Sequence, residues 1–296
     1  MHGKYKIIND PDYGFNRLDP IPSQEEVEKF YLEEFYTGEY KSFNDSSLEV
    51  QQEEKEFFDF RWELIANKIK SHLGNLNGKS IFDIGAGYCQ ALMYFQKAGM
   101  ICSGIEPSKE GSEYGNQNGM KIFQTGIENF SVVGDERFDS VILVNVLEHL
   151  RKPAETLINI KNQLLKKNGI LVIDVPNEFN DFQLIANEEY KLNNWWLCPP
   201  NHINYFSSSS LTSLLEKTGY EIIHSVSSFP LEMFMLFGDV YVGNGVVGKA
   251  CHNKRVKFEL LMKKYNRLEK LEKLYSAFAE LDLGRQVVTF AVPKNK

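Results

Sequence analysis

Two glycines at alternate positions follow an aspartate in Asp83-Ile84-Gly85-Ala86-Gly87-Tyr88-Cys89. Glycine there lets the chain turn sharply and leaves a ligand room against bare backbone, with the amides of a following helix close by. Asp83 reads either as a cap of that turn or as a contact to the ligand. Glu106, in Gly104-Ile105-Glu106-Pro107, lies about 20 residues beyond the glycines, the spacing at which a second-strand acid accepts the hydroxyls of a ribose. Together they point to a nucleoside. A dinucleotide fits less well: the position of a third glycine, counted from Gly85, holds Gln90, so no room is kept for a pyrophosphate close to the helix.

A second chemical stretch is Trp195-Trp196-Leu197-Cys198-Pro199-Pro200-Asn201-His202-Ile203-Asn204-Tyr205-Phe206. Paired tryptophans, paired prolines and a histidine are more than a connector needs. His202 is the candidate general base for a hydroxyl acceptor, with Tyr205 as a second group able to share a proton, because an imidazole titrating near pH 6.5 keeps a useful neutral fraction at pH 7. The other reading is that His202 ties the loop through backbone hydrogen bonds. No metal is expected: Cys89, Cys102, Cys198 and Cys251 are far apart and form no CxxC pair, which also argues against a disulfide framework.

The elements that must position these groups follow from periodicity. Apolar runs at 80–84, 101–105, 121–124, 138–144 and 170–175 alternate with helical lengths, the pattern of a buried parallel sheet with right-handed crossovers. Runs at 220–226 and 286–292 bring the strands to seven. Pro153 suits the first turn of the helix before the fifth strand, and Gly169 after Lys166-Lys167 reads as its end. Upstream, residues 1–22 read as an extended arm. Ser23-Gln24-Glu25-Glu26 reads as a capping box opening a helix to about Tyr36, and a second helix is expected over 48–70. Between the last two strands lies an insertion holding one helix from about Arg255 to Leu281, far longer than a hairpin loop. Its apolar face must be buried, against the parent domain or in a dimer seam.

With these motifs in order, the chain resembles the class I S-adenosylmethionine-dependent methyltransferases over about 79–226 and again 286–292. Their first motif is a D/ExGxGxG run, whose last glycine is Cys89 here, and their second-strand acid binds ribose. Gly126-Ile127-Glu128 resembles their adenine-contacting turn, Asn145-Val146-Leu147-Glu148-His149-Leu150 their "LEHL" signature, and Asn168-Gly169-Ile170-Leu171-Val172-Ile173 their entry into strand five. The histidine loop is similar to their "PPHHLNYFS" stretch, with Asn201 at the first histidine. The resemblance implies a Rossmann-like doubly wound α/β fold with an antiparallel last strand, and S-adenosyl-L-methionine as cofactor. It implies cofactor contacts from Asp83, Gly85, Ala86, Gly87, Glu106, Pro107, Gly126, Ile127, Glu128, Asn145, Val146 and His149. In the covering helices Arg61, Tyr36 and Tyr40 are candidates for the methionine carboxylate; Glu148 reads as structural.

The expected organisation is a helical cover (1–78), a cofactor-binding core (79–228), an insertion (229–284) serving as lid or dimer element, and a last strand with tail (285–296). The expected reaction is methyl transfer to a small polar acceptor, such as a sugar or nucleotide-sugar hydroxyl. The rival is a noncatalytic protein that binds the cofactor and uses the insertion as an interface. A net charge of -7 argues against a nucleic-acid partner, although residues 249–274 are basic. No stretch approaches the roughly 20 apolar residues of a membrane span, and no apolar signal region follows the N-terminus, so a cytoplasmic protein without a membrane partner is expected.

Overall fold

The computed structural model describes residues 4–30, 48–130 and 136–294. It opens on an antiparallel hairpin, β1 (Lys6–Asn9) and β2 (Asn16–Asp19), where the sequence pattern suggests an extended arm. Four-residue strands are too short to show alternation. The turn between them depends on the Asp10 carboxylate accepting from the amides of Asp12 and Tyr13, and on Gly14 at φ 85°.

Helix α1 (Gln24–Phe30) is opened by the expected capping box: the Ser23 hydroxyl accepts from the Glu26 amide, and the Glu26 carboxylate accepts from the Ser23 amide. Its expected continuation to Tyr36 lies outside the described residues. The single helix expected over 48–70 is two, α2 (Leu48–Glu53) and α3 (Lys55–Leu73), separated by Glu54.

The sheet is then laid down by alternation. The chain runs β3 (Ser80–Ile84), α4 (Gln90–Lys97), β4 (Ile101–Ile105), α5 (Lys109–Gln117), β5 (Lys121–Phe123), β6 (Phe138–Val144), α6 (Pro153–Asn159) and β7 (Leu165–Pro176). It continues through α7 (Asp181–Tyr190), β8 (Asn204–Tyr205), α8 (Ser208–Lys217), β9 (Tyr220–Ser227), α9 (Glu232–Leu236), α10 (Gly245–Lys264), α11 (Leu268–Glu280) and β10 (Gln286–Pro293). The seven-stranded order is β5-β4-β3-β6-β7-β10-β9, with β3 to β7 parallel and β10 antiparallel to both neighbours. Side chains alternate between two cores. Phe82, Val141, Leu171 and Ile173 meet Leu211 and Leu215 of α8 on one face, while Ile81, Ile142 and Val172 meet Ile65 and Ile69 of α3 and Phe95 of α4 on the other.

Two boundaries move. The helix expected to end at Lys166-Lys167 ends in a π-helical turn, Ile160–Leu164, and those lysines already belong to β7. The helix expected from Arg255 to Leu281 is α10 and α11, broken where Asn266 takes φ 55°. Leu271 and Tyr275 of α11 bury against Phe60 of α3, with Val226 of β9 packed beside them. Strand β8 pairs with β2, so the N-terminal hairpin and the histidine loop share a second, three-stranded sheet.

Candidate active site

The glycine turn leaves β3 at the edge where all five parallel strands end. Gly85 and Gly87 take φ 78° and 53°, and Cys89, standing where the motif ends in glycine, takes φ 59°. That left-handed backbone explains why glycine suits each of these positions. The amides of Gly85 and Ala86 both donate to the carbonyl of Ile105 at 2.9 and 3.0 Å, which docks the turn on β4.

Glu106 completes this docking. Its Oε2 accepts from the Gly87 amide at 2.7 Å and its Oε1 from the Ser108 amide at 2.8 Å. Each carboxylate oxygen has a further acceptor direction, so bracing the turn leaves the acid able to meet ribose hydroxyls. Gly111, which the sequence pattern does not single out, allows this approach: a Cβ there would stand 2.5 Å from the Gly87 carbonyl and 2.9 Å from Glu106 Cγ. Gly126 lies beside Pro107, its would-be Cβ 4.0 Å from the proline ring. Ile127 is half-buried against the core and Glu128 is exposed. Val146 closes over the turn, since a Cβ on Gly85 would meet its Cγ2 at 2.6 Å. Thus the turn, Glu106, Pro107, Gly126 and Val146 converge.

Asp83 is buried beneath them, and burial, with the charge of Glu106 adding, pushes its carboxyl up to about 8. The native protein therefore holds a proton that the unfolded chain releases near pH 4, and stability falls as pH rises from about 4 to 8. Asp83→Asn has no such proton to lose. It is expected to gain on the wild type across that window, on the order of 1 kcal/mol per pH unit at the steepest. Urea unfolding at pH 5 and pH 8 measures this, and parallel profiles for the two proteins would speak against it.

A second group of residues gathers one short turn away. His149 follows Val146 in a 3-10 turn, its amide donating to the Val146 carbonyl at 3.0 Å. Its Nδ1 lies 2.8 Å from the Asn201 carbonyl and its Nε2 3.7 Å from Glu148 Oε1. The histidine loop is strapped here: the Ile203 amide donates to the Glu148 carbonyl, and the Asn204 side chain donates to the carbonyls of Leu147 and Leu150. The rings of His149 and His202 meet edge to face at 5.0 Å. His202 Nδ1 lies 3.5 Å from Glu178 Oε1, an ion-pair distance not aligned as a hydrogen bond.

Burial sets the charges of this group. It pushes Glu148 up to about 8 and His149 down to about 3. For His202 burial also disfavours the cation, but the Glu178 carboxylate outweighs it and holds the imidazole above its ordinary value. A base at His202 therefore does not sit in the ordinary environment assumed from sequence. Tyr205 is buried, and its hydroxyl donates to the His202 carbonyl at 3.0 Å, bracing the loop.

Arg61 and Asn145 form a bridge between the groups. Arg61 donates to Asp174 Oδ2 at 2.7 Å and to Gln286 Oε1 at 2.9 Å, while Gln286 donates to Asn145 Oδ1 at 2.9 Å. The guanidinium assigned by resemblance to a methionine carboxylate thus already holds a buried protein carboxylate. Tyr36 and Tyr40 lie outside the described residues.

A family model described as a methyltransferase domain matches residues 57–225. The chain belongs to the class I S-adenosylmethionine-dependent methyltransferases. S-adenosylmethionine is its cofactor. This methyltransferase resembles in fold the 1,6-didemethyltoxoflavin-N1-methyltransferase of Burkholderia thailandensis, solved with bound S-adenosylhomocysteine. The TM-score is 0.54 at 14% identity, covering 97% of this chain and 98% of that one. Among curated relatives, the tRNA U34 carboxymethyltransferase of a Psychrobacter species is 27% identical over 195 residues, 57% of this chain and 52% of that protein. The ubiquinone biosynthesis O-methyltransferase of Rickettsia canadensis is 30% identical over 173 residues, 55% of this chain and 71% of that protein. The methyltransferase spans about half the length of the tRNA-modifying relatives it matches.

Those tRNA-modifying relatives overturn the expectation that no nucleic acid is a partner. Net charge was the wrong measure, because phosphate is bound by a local basic face whatever the sum over the chain. Among the described residues no helix is long and apolar enough to cross a membrane.

Proposed function

We propose that this methyltransferase methylates an oxygen of a small polar acceptor, a sugar or nucleotide-sugar hydroxyl being the favoured class. The observation that supports the reading is the cluster of Glu148, His149, His202 and Glu178 beside the cofactor turn, joined to it by Val146, which lies against Gly85 and whose carbonyl accepts from the His149 amide. An oxygen nucleophile must lose a proton as it attacks, whereas methyl transfer itself asks mainly for alignment and exclusion of water. The acceptor O–H bond breaks, and its proton leaves by way of the histidine–carboxylate cluster. The new O–C bond forms as the S–C bond breaks, and the sulfonium leaves as the neutral thioether. The relative named as an O-methyltransferase agrees with an oxygen acceptor. Asp83, Gly85, Ala86, Gly87, Glu106, Pro107, Gly126, Ile127 and Val146 are assigned to the cofactor.

Glu106 carries a direct test of that assignment. Glu106→Ala is expected to weaken S-adenosylhomocysteine binding by about 2–4 kcal/mol, the worth of two charge-assisted hydrogen bonds. Calorimetry reads the change, and an affinity within a factor of three of the wild type would remove Glu106 from the site.

An RNA acceptor is the second reading, favoured by the tRNA-modifying relatives and by the basic run of α10. The purified protein is incubated with the cofactor and, separately, with sugars, nucleotide sugars, phenols and unfractionated tRNA, and release of S-adenosylhomocysteine is measured. Release with tRNA alone would replace the first reading by the second.

A further inference from the structure

The acceptor-side cluster contains more buried, unanswered polarity than any other part of the described chain. Glu148 is 2% exposed and neither of its carboxylate oxygens has a hydrogen-bond partner. Buried Glu178 leaves Oε2 unpaired, and Asn201 Oδ1 is unpaired beside it. Interior polar groups are nearly always satisfied, and a concentration of unsatisfied ones marks a missing ion, water or ligand. A carboxylate pays a large desolvation cost unless a proton or a cation answers it.

The same side chains present a ligand set. The donor atoms of Glu148, His149 and His202 all lie within 4.8 Å of one another. Donors sharing an ion at about 2.1 Å stand roughly 3–4 Å apart, close to the spread of this set. Both rings are held from behind in the manner of ligating histidines, whose far nitrogen meets a carbonyl or carboxylate. His149 Nδ1 is on the Asn201 carbonyl at 2.8 Å, and His202 Nδ1 faces Glu178 at 3.5 Å.

We propose that Glu148, His149 and His202 bind one first-row divalent cation, whose open positions receive the acceptor hydroxyl. One carboxylate and two imidazoles suit Mn²⁺, Fe²⁺, Co²⁺ or Zn²⁺ better than Ca²⁺ or Mg²⁺, which prefer all-oxygen shells. When bound, the cation makes the hydroxyl more acidic, so that its proton leaves to solvent before the oxygen takes the methyl group. His202 then acts as a ligand, and Glu178 as the group that orients it. The proposal rests on the hydroxyl-acceptor reading above. It also departs from the sequence expectation of no metal, which considered cysteine spacing, whereas these ligands come from two loops joined only by the fold.

Chelator-treated full-length protein is titrated with Co²⁺, followed by visible absorbance and by calorimetry. One saturable site per chain is expected. Glu148→Gln and His202→Gln are each expected to weaken it at least about 10-fold, while His72→Asn, at the exposed end of α3, keeps the wild-type curve. S-adenosylhomocysteine binding by each variant confirms that it is folded. No saturable site in the wild type, or wild-type curves for the two ligand variants, overturns the proposal. Transfer to a hydroxyl acceptor that is unchanged in EDTA also overturns it and leaves the methylation reading standing. A Co²⁺ site in a protein that methylates only RNA bases upholds the cation and overturns the hydroxyl reading.

Discussion

His202→Gln is expected to lower turnover on the true acceptor by about 10²–10⁴-fold, the usual worth of a group that manages the acceptor's proton, with S-adenosylhomocysteine affinity nearly unchanged. Glutamine is preferable to alanine because Glu178, 5% exposed, faces His202 and would otherwise lose that partner. The loop itself does not depend on the imidazole. Its backbone is held by the Ile203 amide on Glu148, by the Asn204 side chain and by the Tyr205 hydroxyl on the His202 carbonyl. Single-turnover methyl transfer and melting temperature are measured together. A stable variant with near-normal turnover would exclude His202 from the chemistry, and a variant that merely unfolds would make it a structural residue.

The largest stability loss is expected at Arg61. Asp174 is fully buried at the C-terminal end of β7 and Arg61 is its only charged partner among the described residues, 2.7 Å away. Burial raises the Asp174 carboxyl and Arg61 opposes that rise. Removing one member of such a pair strands the other, so Arg61→Ala is expected to cost about 3–5 kcal/mol at pH 7. The loss shrinks at pH 5, where the stranded carboxyl is more readily protonated. Arg61→Met combined with Asp174→Asn is expected to recover much of it, since no charge is then stranded. Urea unfolding at both pH values reads all three effects, and a loss below about 1 kcal/mol, the range of an exposed pair, would show that the pair is not buried in solution.

The glycine turn and the acid docked on it were legible in sequence because their logic is local. Asp83, Gly85 and Gly87 sit on one turn, and Glu106 follows one strand later, so spacing alone carries the geometry. Gly111 was not legible: its need for a bare Cα comes from the approach of α5 to the Gly87 carbonyl, which only the packed fold creates. Glu178 escaped, and Glu148 was read as structural, for the same reason. Each is an ordinary acid in sequence and becomes unusual only when β6, β7 and the histidine loop bury it beside two imidazoles. The hairpin at the N-terminus was missed because its strands are short and its turn is held by one carboxylate. The break between α10 and α11 was missed because Leu261, Leu268 and Tyr275 recur every seven residues straight across Asn266.

Pairing of β2 with β8 through Asn16–Tyr205 and Arg17–Asn204 makes the chain's beginning a structural neighbour of its acceptor loop. On the proposed assignment of the loop to the acceptor and the turn to the cofactor, selectivity and affinity are expected to be mechanically separable. Changes within the hairpin should re-aim the histidine loop while the glycine turn, anchored on β4, stays where it is. An N-terminal fusion that crowds Lys6–Asn9 would then show itself as altered acceptor preference at constant cofactor affinity, which makes the hairpin a natural handle for redirecting this enzyme and a poor place for a purification tag.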